Sequence, residues 1–145
     1  MSALRLTRLG PRDALLVLAA GDLFDTPPSE EGARRFLAMP GHHLVLAIEG
    51  YRPVGFVTGV EMCHPDKGTE MFVYELAVDP AQQRRGIGSA LLRELQAVAA
   101  ERGCHAVWTL TETDNQAALA TYRALGARES NGTTMLEWDG GHATR

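Results

Sequence analysis

Between Met71 and Ser89 the chain changes character twice, and this stretch restricts the possible folds more than any other. Met71-Phe72-Val73-Tyr74-Glu75-Leu76-Ala77-Val78 is an apolar run of strand-favouring residues that stops at Asp79-Pro80. Gln83-Arg84-Arg85-Gly86-Ile87-Gly88-Ser89 is a basic, glycine-bearing loop. From Gly88 to Glu101 the apolar residues Leu91, Leu92, Leu95, Val98 and Ala99 recur at helical spacing, with Gly103 just beyond as a stop. A strand–loop–helix junction leaves the first N–H groups of the helix without partners and aims its positive end at whatever lies over the loop. Two arginines add charge at the same place, and the glycines permit close backbone approach. The junction predicts a pyrophosphate cradle.

Spacing narrows the choice among phosphate-binding loops. A dinucleotide fingerprint needs a third glycine three residues after Gly88, where Leu91 stands, and no Gly-Lys-Ser/Thr tripeptide of a P-loop occurs in the chain. Downstream, His105-Ala106-Val107-Trp108-Thr109-Leu110-Thr111 reads as a strand, and Asn115 opens a helix containing Ala118, Tyr122 and Leu125-Gly126.

Gln83-Arg84-Arg85-Gly86-Ile87-Gly88, followed by this Asn-to-Leu-Gly block, resembles the two signature blocks of the GNAT superfamily of acyl-CoA-dependent N-acetyltransferases. The likeness runs over roughly residues 45–138. It implies an α/β (α+β) fold: a central, mixed, mostly antiparallel twisted sheet, splayed between its central strands and flanked by about four helices. It also implies acetyl-CoA as co-substrate.

The remaining elements suit that order. Ala3 to Leu9 alternates as a half-buried strand, Arg12 to Leu23 has helical apolar spacing, and Ser29 caps a second helix, Glu30 to Met39. His43 to Glu49 and Pro53 to Met62 form a hairpin through Gly50-Tyr51-Arg52, and Thr133 to Trp138 is expected to close the sheet as a last strand. Residues 1–139 read as one domain and 140–145 as a mobile polar tail.

Acetyl transfer to an amine needs a base for the ammonium, donors for the carbonyl oxygen and an acid for the thiolate. Glu75 is the only carboxylate in the run Met71 to Val78, and an unpaired charge there calls for a partner, a solvated cleft or a raised pKa. Tyr74-Glu75-Leu76-Ala77-Val78 is similar to Tyr-Asp-Leu-Ala-Val of aminoglycoside 3-N-acetyltransferases, which implies that Glu75 is the catalytic base, directly or through a water. The family resemblance further implies that backbone groups of Leu76, Ala77 and Val78 hold pantetheine, with the Val78 N–H on the thioester carbonyl. It implies Tyr122 as the acid toward the thiolate, where Tyr122 also has the spacing of a helix-packing residue. Gln83, Arg84, Arg85, Gly86, Ile87, Gly88 and Ser89 would bind the phosphates. Asn115 would contact the pantetheine arm or cap its helix.

The acceptor is less defined. Asp22, Asp25, Glu75, Glu112 and Asp114 are carboxylates on segments that border the acceptor side, which together with the likeness to aminoglycoside enzymes leads to a small cationic amine, an aminoglycoside, as the expected substrate. A polyamine, another small amine or a protein amine remains open, as does a silent acyl-CoA sensor. The net charge of −4 disfavours nucleic acid. No apolar run approaches the roughly 20 residues of a membrane span, so a cytoplasmic protein is expected, with no membrane partner. Cys63-His64 and Cys104-His105 are adjacent pairs without zinc-ligand spacing, so no metal is expected. His42 and His43 read as solvent-facing or polar fillers. Homodimerisation is the expectation from the family, with the closing strand as a contact.

Overall fold

The computed structural model describes residues 3–140. Its elements are β1 (Leu4–Arg8), α1 (Ala14–Ala19), a 3-10 turn (Gly21–Leu23), α2 (Glu30–Ala38), β2 (His42–Glu49), β3 (Arg52–His64) and β4 (Gly68–Val78). A second 3-10 turn (Pro80–Gln82), α3 (Ile87–Glu101), β5 (Ala106–Trp108) and α4 (Gln116–Ala124) follow. The sheet has the order β1-β2-β3-β4-β5; every pair is antiparallel except β4 and β5, which are parallel.

The apolar residues of β2 serve two cores at once. Val45 and Ala47 face α3, together with Val54 and Val57 of β3 and Ile87, Leu91, Leu95 and Val98 of the helix. Leu44, Leu46 and Ile48 face the other way, against Ala14, Val17, Ala33, Leu37 and Phe56. A strand buried on both faces must be apolar throughout, which is why this segment lacks the alternation of β1. Glycines at positions 55 and 59 let α3 lie close on β3: a Cβ at Gly55 would sit 3.0 Å from the Ala77 carbonyl oxygen and 3.1 Å from Leu91 Cδ1, and one at Gly59 would sit 2.9 Å from Leu95 Cδ2.

One irregularity decides which way the site residues face. Glu75 pairs with Thr58 and Val73 with Gly59, so Tyr74 is an extra residue, a β-bulge in β4. Before the bulge Met71 and Val73 lie on the α3 face; beyond it Leu76 and Val78 take that face. Glu75 therefore turns to the α1/α2 side, and Ala77 packs there against the second core. In an unbroken strand Glu75 would share a face with Val73, inside the main core.

Several boundaries differ from the sequence reading for identifiable reasons. The first helix ends at Ala19 rather than Leu23, because the chain tightens into a 3-10 turn that stacks Phe24 on Phe56, ring centroids 4.2 Å apart. The strand expected over 105–111 shrinks to Ala106–Trp108, because β5 leaves β4 after Phe72 pairs with Trp108. Thr133–Trp138 makes no ladder: Met135, Leu136 and Trp138 are 65%, 69% and 84% exposed. Strand-favouring residues make a chain extended, but a strand also needs a partner. His43, expected as filler, donates to or accepts from Glu61 at 2.6 Å, and Arg102 reaches the same carboxylate at 2.9 Å, tying the end of α3 to the sheet. The expected tail at 140–145 falls, apart from Gly140, outside the described residues.

Replacing Gly55 with Ala forces the Ala77 carbonyl and the α3 side chains apart. We expect a loss of about 1–3 kcal/mol of stability, read as a lowered urea midpoint at an unchanged slope.

Candidate active site

The cradle is built at the C-terminal end of β4. Asp79 accepts a hydrogen bond from the Ala81 N–H at 2.9 Å and pairs with Arg52 at 2.5 Å, which fixes the turn leaving the strand. Arg84 (φ 67°) and Gly86 (φ 80°) are both left-handed, a costly conformation for arginine that curls the backbone around the start of α3. Gly86 is the N-cap residue and has no side chain to cap with. The first-turn N–H groups of Ile87, Gly88 and Ser89 precede the first intrahelical bond, from the Ala90 N–H to the Gly86 carbonyl at 3.0 Å. Ile87 also anchors the turn, its side chain 2% exposed in the core. The two arginines differ. Arg85 is held by Glu49 at 2.6 Å and by Gln82, whereas Arg84 is exposed and has no ion-pair partner among the described residues. Gln83 turns its amide toward the Val78 carbonyl at 3.5 Å.

The next part of the site is the gap between β4 and β5. Asp79 donates its N–H to the Val54 carbonyl at 2.9 Å, continuing the register in which Val78 opposes Gly55. Backbone direction alternates along a strand, so Asp79 and Ala77 address β3 while Val78 and Leu76 address the side of β5. Beyond Phe72 no β5 residue is paired with β4. The N–H groups of Leu76 and Val78 thus line an opening of the kind proposed for pantetheine, and Ala77 has its backbone turned to β3 instead.

Glu75 and Tyr122 lie on opposite faces of the sheet. Glu75 is half-buried on the wall of a cavity of about 230 Å³ whose lining includes Val17, Phe24, Phe36, Leu44, Thr58 and Tyr74. Loss of solvent is the main cause that raises its pKa, and the Asp25 carboxylate raises it further. Among the described residues no arginine offsets these effects, so Glu75 is not the ion-paired strand-end residue its position allowed. Tyr122 packs against the α3-side core and lines a larger groove, about 1320 Å³, with Val73, Leu92, Thr109 and Leu125. Burial raises its phenol pKa, and the nearby Thr109 hydroxyl offsets part of that rise. A phenol held neutral remains able to donate.

Other expected site residues lie elsewhere or act differently. Asn115 accepts a hydrogen bond from the Ala118 N–H at 3.1 Å and so caps α4. Asp25 adjoins Glu75 electrostatically, whereas Asp22, Glu112 and Asp114 are exposed and line neither cavity. Thr58 and Thr109 went unnoticed in the sequence, because a threonine in a strand carries no motif; both line the cavities beside the site. Among the described residues no cluster of three His, Cys, Asp or Glu side chains could hold a metal ion.

Because Arg84 has no ion-pair partner among the described residues and Arg85 is already paired, Arg84→Ala should weaken coenzyme A binding about tenfold, as loss of a hydrogen bond to a charged group does, and Arg85→Ala less. Calorimetric titration separates the two; equal losses would mean that Arg85 leaves Glu49 when the ligand binds.

Comparison with known proteins agrees with this geometry. The family model described as Acetyltransferase (GNAT) family matches residues 13–127. The chain is 42% identical over 102 residues to N-alpha-acetyltransferase RimI of Mycobacterium tuberculosis, which covers 70% of this chain and 62% of that protein. It is 36% identical over 89 residues to L-2,4-diaminobutyric acid acetyltransferase of Nocardia farcinica, covering 61% and 45%. The chain therefore spans roughly half to three-fifths of the length of these curated relatives. The structure of an aminoglycoside acetyltransferase from a soil metagenomic sample superposes with a TM-score of 0.79 at 26% identity, over 94% of this chain and 99% of that one. The chain belongs to the acetyltransferase (GNAT) family.

Proposed function

We propose that this protein transfers the acetyl group of acetyl-CoA directly to a primary amine, with Glu75 as general base and Tyr122 as general acid. The observation that carries this reading is the unpaired, half-buried Glu75 carboxylate beside the opening where β4 and β5 part. The cradle Gln83–Ser89 binds the pyrophosphate, and the Leu76 and Val78 N–H groups hold the pantetheine and carbonyl. Glu75 removes a proton from the incoming ammonium, directly or through a water, and its raised pKa makes it a better acceptor for that proton. The Val78 N–H donates to the thioester oxygen as negative charge develops there; one such donor is worth about 10²–10³ in rate. Tyr122 gives its proton to the sulfur as the C–S bond breaks.

The walls around Glu75 bear on the acceptor. The cavity is lined mainly by Val17, Phe24, Ala33, Phe36 and Leu44, and is small for a multi-ring ligand, since drug-sized pockets begin at roughly 300 Å³. An amine carried beside a small apolar group, as at the N-terminus of a peptide, suits such walls, and the 42% identity to an N-alpha-acetyltransferase supports this reading. The aminoglycoside reading is supported by the likeness to an aminoglycoside acetyltransferase and by Asp25, exposed beside Glu75, where it would attract a polycation. Free-thiol release from acetyl-CoA, measured against peptides with small apolar N-termini, diamino acids and aminoglycosides, decides between them. Turnover confined to aminoglycosides would reverse the preference, and tight coenzyme A binding with no turnover would point to a silent sensor.

The homodimer reading draws support from the open edge of β5 and the exposed Met135, Leu136 and Trp138, apolar surface that a second copy could cover. Sedimentation of the intact chain checks it. Acetyl-CoA is made inside cells, which supports a cytoplasmic location.

As a base, Glu75 must be ionised, so activity falls as pH drops through its raised pKa. Glu75→Gln should lower kcat about 10²–10⁴-fold, with the deficit largest above that pKa, where the native carboxylate is charged. Asp25→Asn removes a like charge, so the acid limb of the kcat profile should move to lower pH; an unmoved limb would separate Asp25 from the base.

A further inference from the structure

One buried polar side chain makes no bond within the fold. Thr58 is 8% exposed, the only polar side chain among the described residues to be buried so deeply, and Val54, Phe56 and Val57 just before it are closed off altogether. Its hydroxyl has no hydrogen-bond partner among the described residues, and none of their side-chain nitrogens or oxygens is both sealed from solvent and unpaired. The Thr58 hydroxyl is therefore accessible, and the space that Thr58 lines is the cavity of about 230 Å³ beside Glu75.

The ladder fixes what stands next to it. Thr58 pairs with Leu44 of β2 on one side and with Glu75 of β4 on the other. Residues opposite each other in a ladder send their side chains to the same face, so Leu44, Thr58 and Glu75 form one row across the sheet. All three line the cavity, and Val17, Ala33 and Phe36 wall it from the helices. Tyr74, the other polar residue of the lining, is largely exposed. A valine would fill the place of Thr58 with the same branched shape, and without the cost of taking a hydroxyl from water unpartnered. No hydrogen bond joins Thr58 to Glu75. Directly opposed residues hold their Cβ atoms about 4.5–5.5 Å apart, a span that one nitrogen bonded to both side chains covers.

We infer, on the reading of the Glu75 cavity as the amine site, that Thr58 is a second anchor for the acceptor: its hydroxyl oxygen accepts one N–H of the bound ammonium while Glu75 accepts another. An ammonium has three donors and no acceptor, and the hydroxyl has lone pairs to receive one of them. With Glu75 alone, the other donors would face hydrocarbon. The ligand class is a primary amine on a narrow apolar body, such as a peptide beginning with alanine, whose methyl group lies against the apolar walls. The role belongs to binding, and no bond is made or broken at Thr58.

A protein change paired with a ligand change isolates this contact. Calorimetric titration of the coenzyme A complex compares a short peptide beginning with alanine and its analogue with propionyl in place of the alanine, which lacks only the amine. Thr58→Val should weaken the amine peptide about tenfold, the scale of a hydrogen bond to a charged group, and leave the propionyl peptide unchanged. It should also raise KM for the peptide, keep KM for acetyl-CoA, and melt at or above the native temperature. Thr58→Ser, which keeps the hydroxyl, should bind both peptides as the native protein does. Equal weakening of the two peptides, no weakening of either, or a Ser variant as impaired as the Val variant would overturn the role of Thr58 alone. A Val variant melting well below the native protein would do the same, because the hydroxyl would then be bonded within the fold. Native kcat in Glu75→Gln, or no preference of the native protein for the amine peptide, would instead overturn the cavity as the site of such an amine, and the role of Thr58 with it.

Discussion

The arrangement around the site depends on a single extra residue in β4. A strand has a strict period of two, so Met71, Val73 and Glu75 would share one face if the pairing with β3 ran without interruption. That face is covered by α3 and packed with Leu91 and Leu95, where an unpaired carboxylate would be strongly disfavoured. The bulge at Tyr74 resolves the conflict by letting two residues of β4 oppose Thr58. Glu75 turns out to the α1/α2 cavity, while Leu76 and Val78 regain the core face. The same phase change leaves the Leu76 and Val78 backbone groups pointing away from β3, toward the gap.

A second constraint is the short parallel pairing between β4 and β5. Three rungs hold the strands together, from Glu70 opposite Ala106 to Phe72 opposite Trp108. Beyond them each strand follows its own layer: β4 stays with β3, anchored by Asp79 on Val54, and β5 bends away toward α4. Unpaired backbone is costly unless something satisfies it, and an extended ligand with amide groups could do so. The two candidate proton-transfer groups line cavities on opposite sides of one sheet.

Much of the architecture was legible in the chain because it depends on local pattern. The heptad-like spacing of Leu91, Leu95 and Val98, the cap at Ser29, the hairpin at Gly50 and the basic glycine loop all involve residues within a few positions of each other. The closing strand was misjudged for the opposite reason. Thr133–Trp138 has strand-favouring composition, but whether it joins a ladder depends on an edge far away in sequence, and β5 offers only three paired residues. The acidic group was also only partly legible: Asp25 joins Glu75, while Glu112 and Asp114 lie on exposed turns before α4. Carboxylates scattered along a sequence have no direction until the chain folds.

The sequence by itself determined the order of elements, the phosphate-type loop and the presence of one isolated carboxylate in a strand and one tyrosine in a helix. These follow from composition and spacing, which act over a turn or a strand. Tertiary structure alone decided that Arg85 is occupied by Glu49 while Arg84 has no ion-pair partner among the described residues, that Asn115 is a cap, and that Thr109 donates to the Val73 carbonyl. It also decided which face Glu75 presents, because a one-residue bulge inverts the side-chain phase and becomes visible only when β4 is laid against β3.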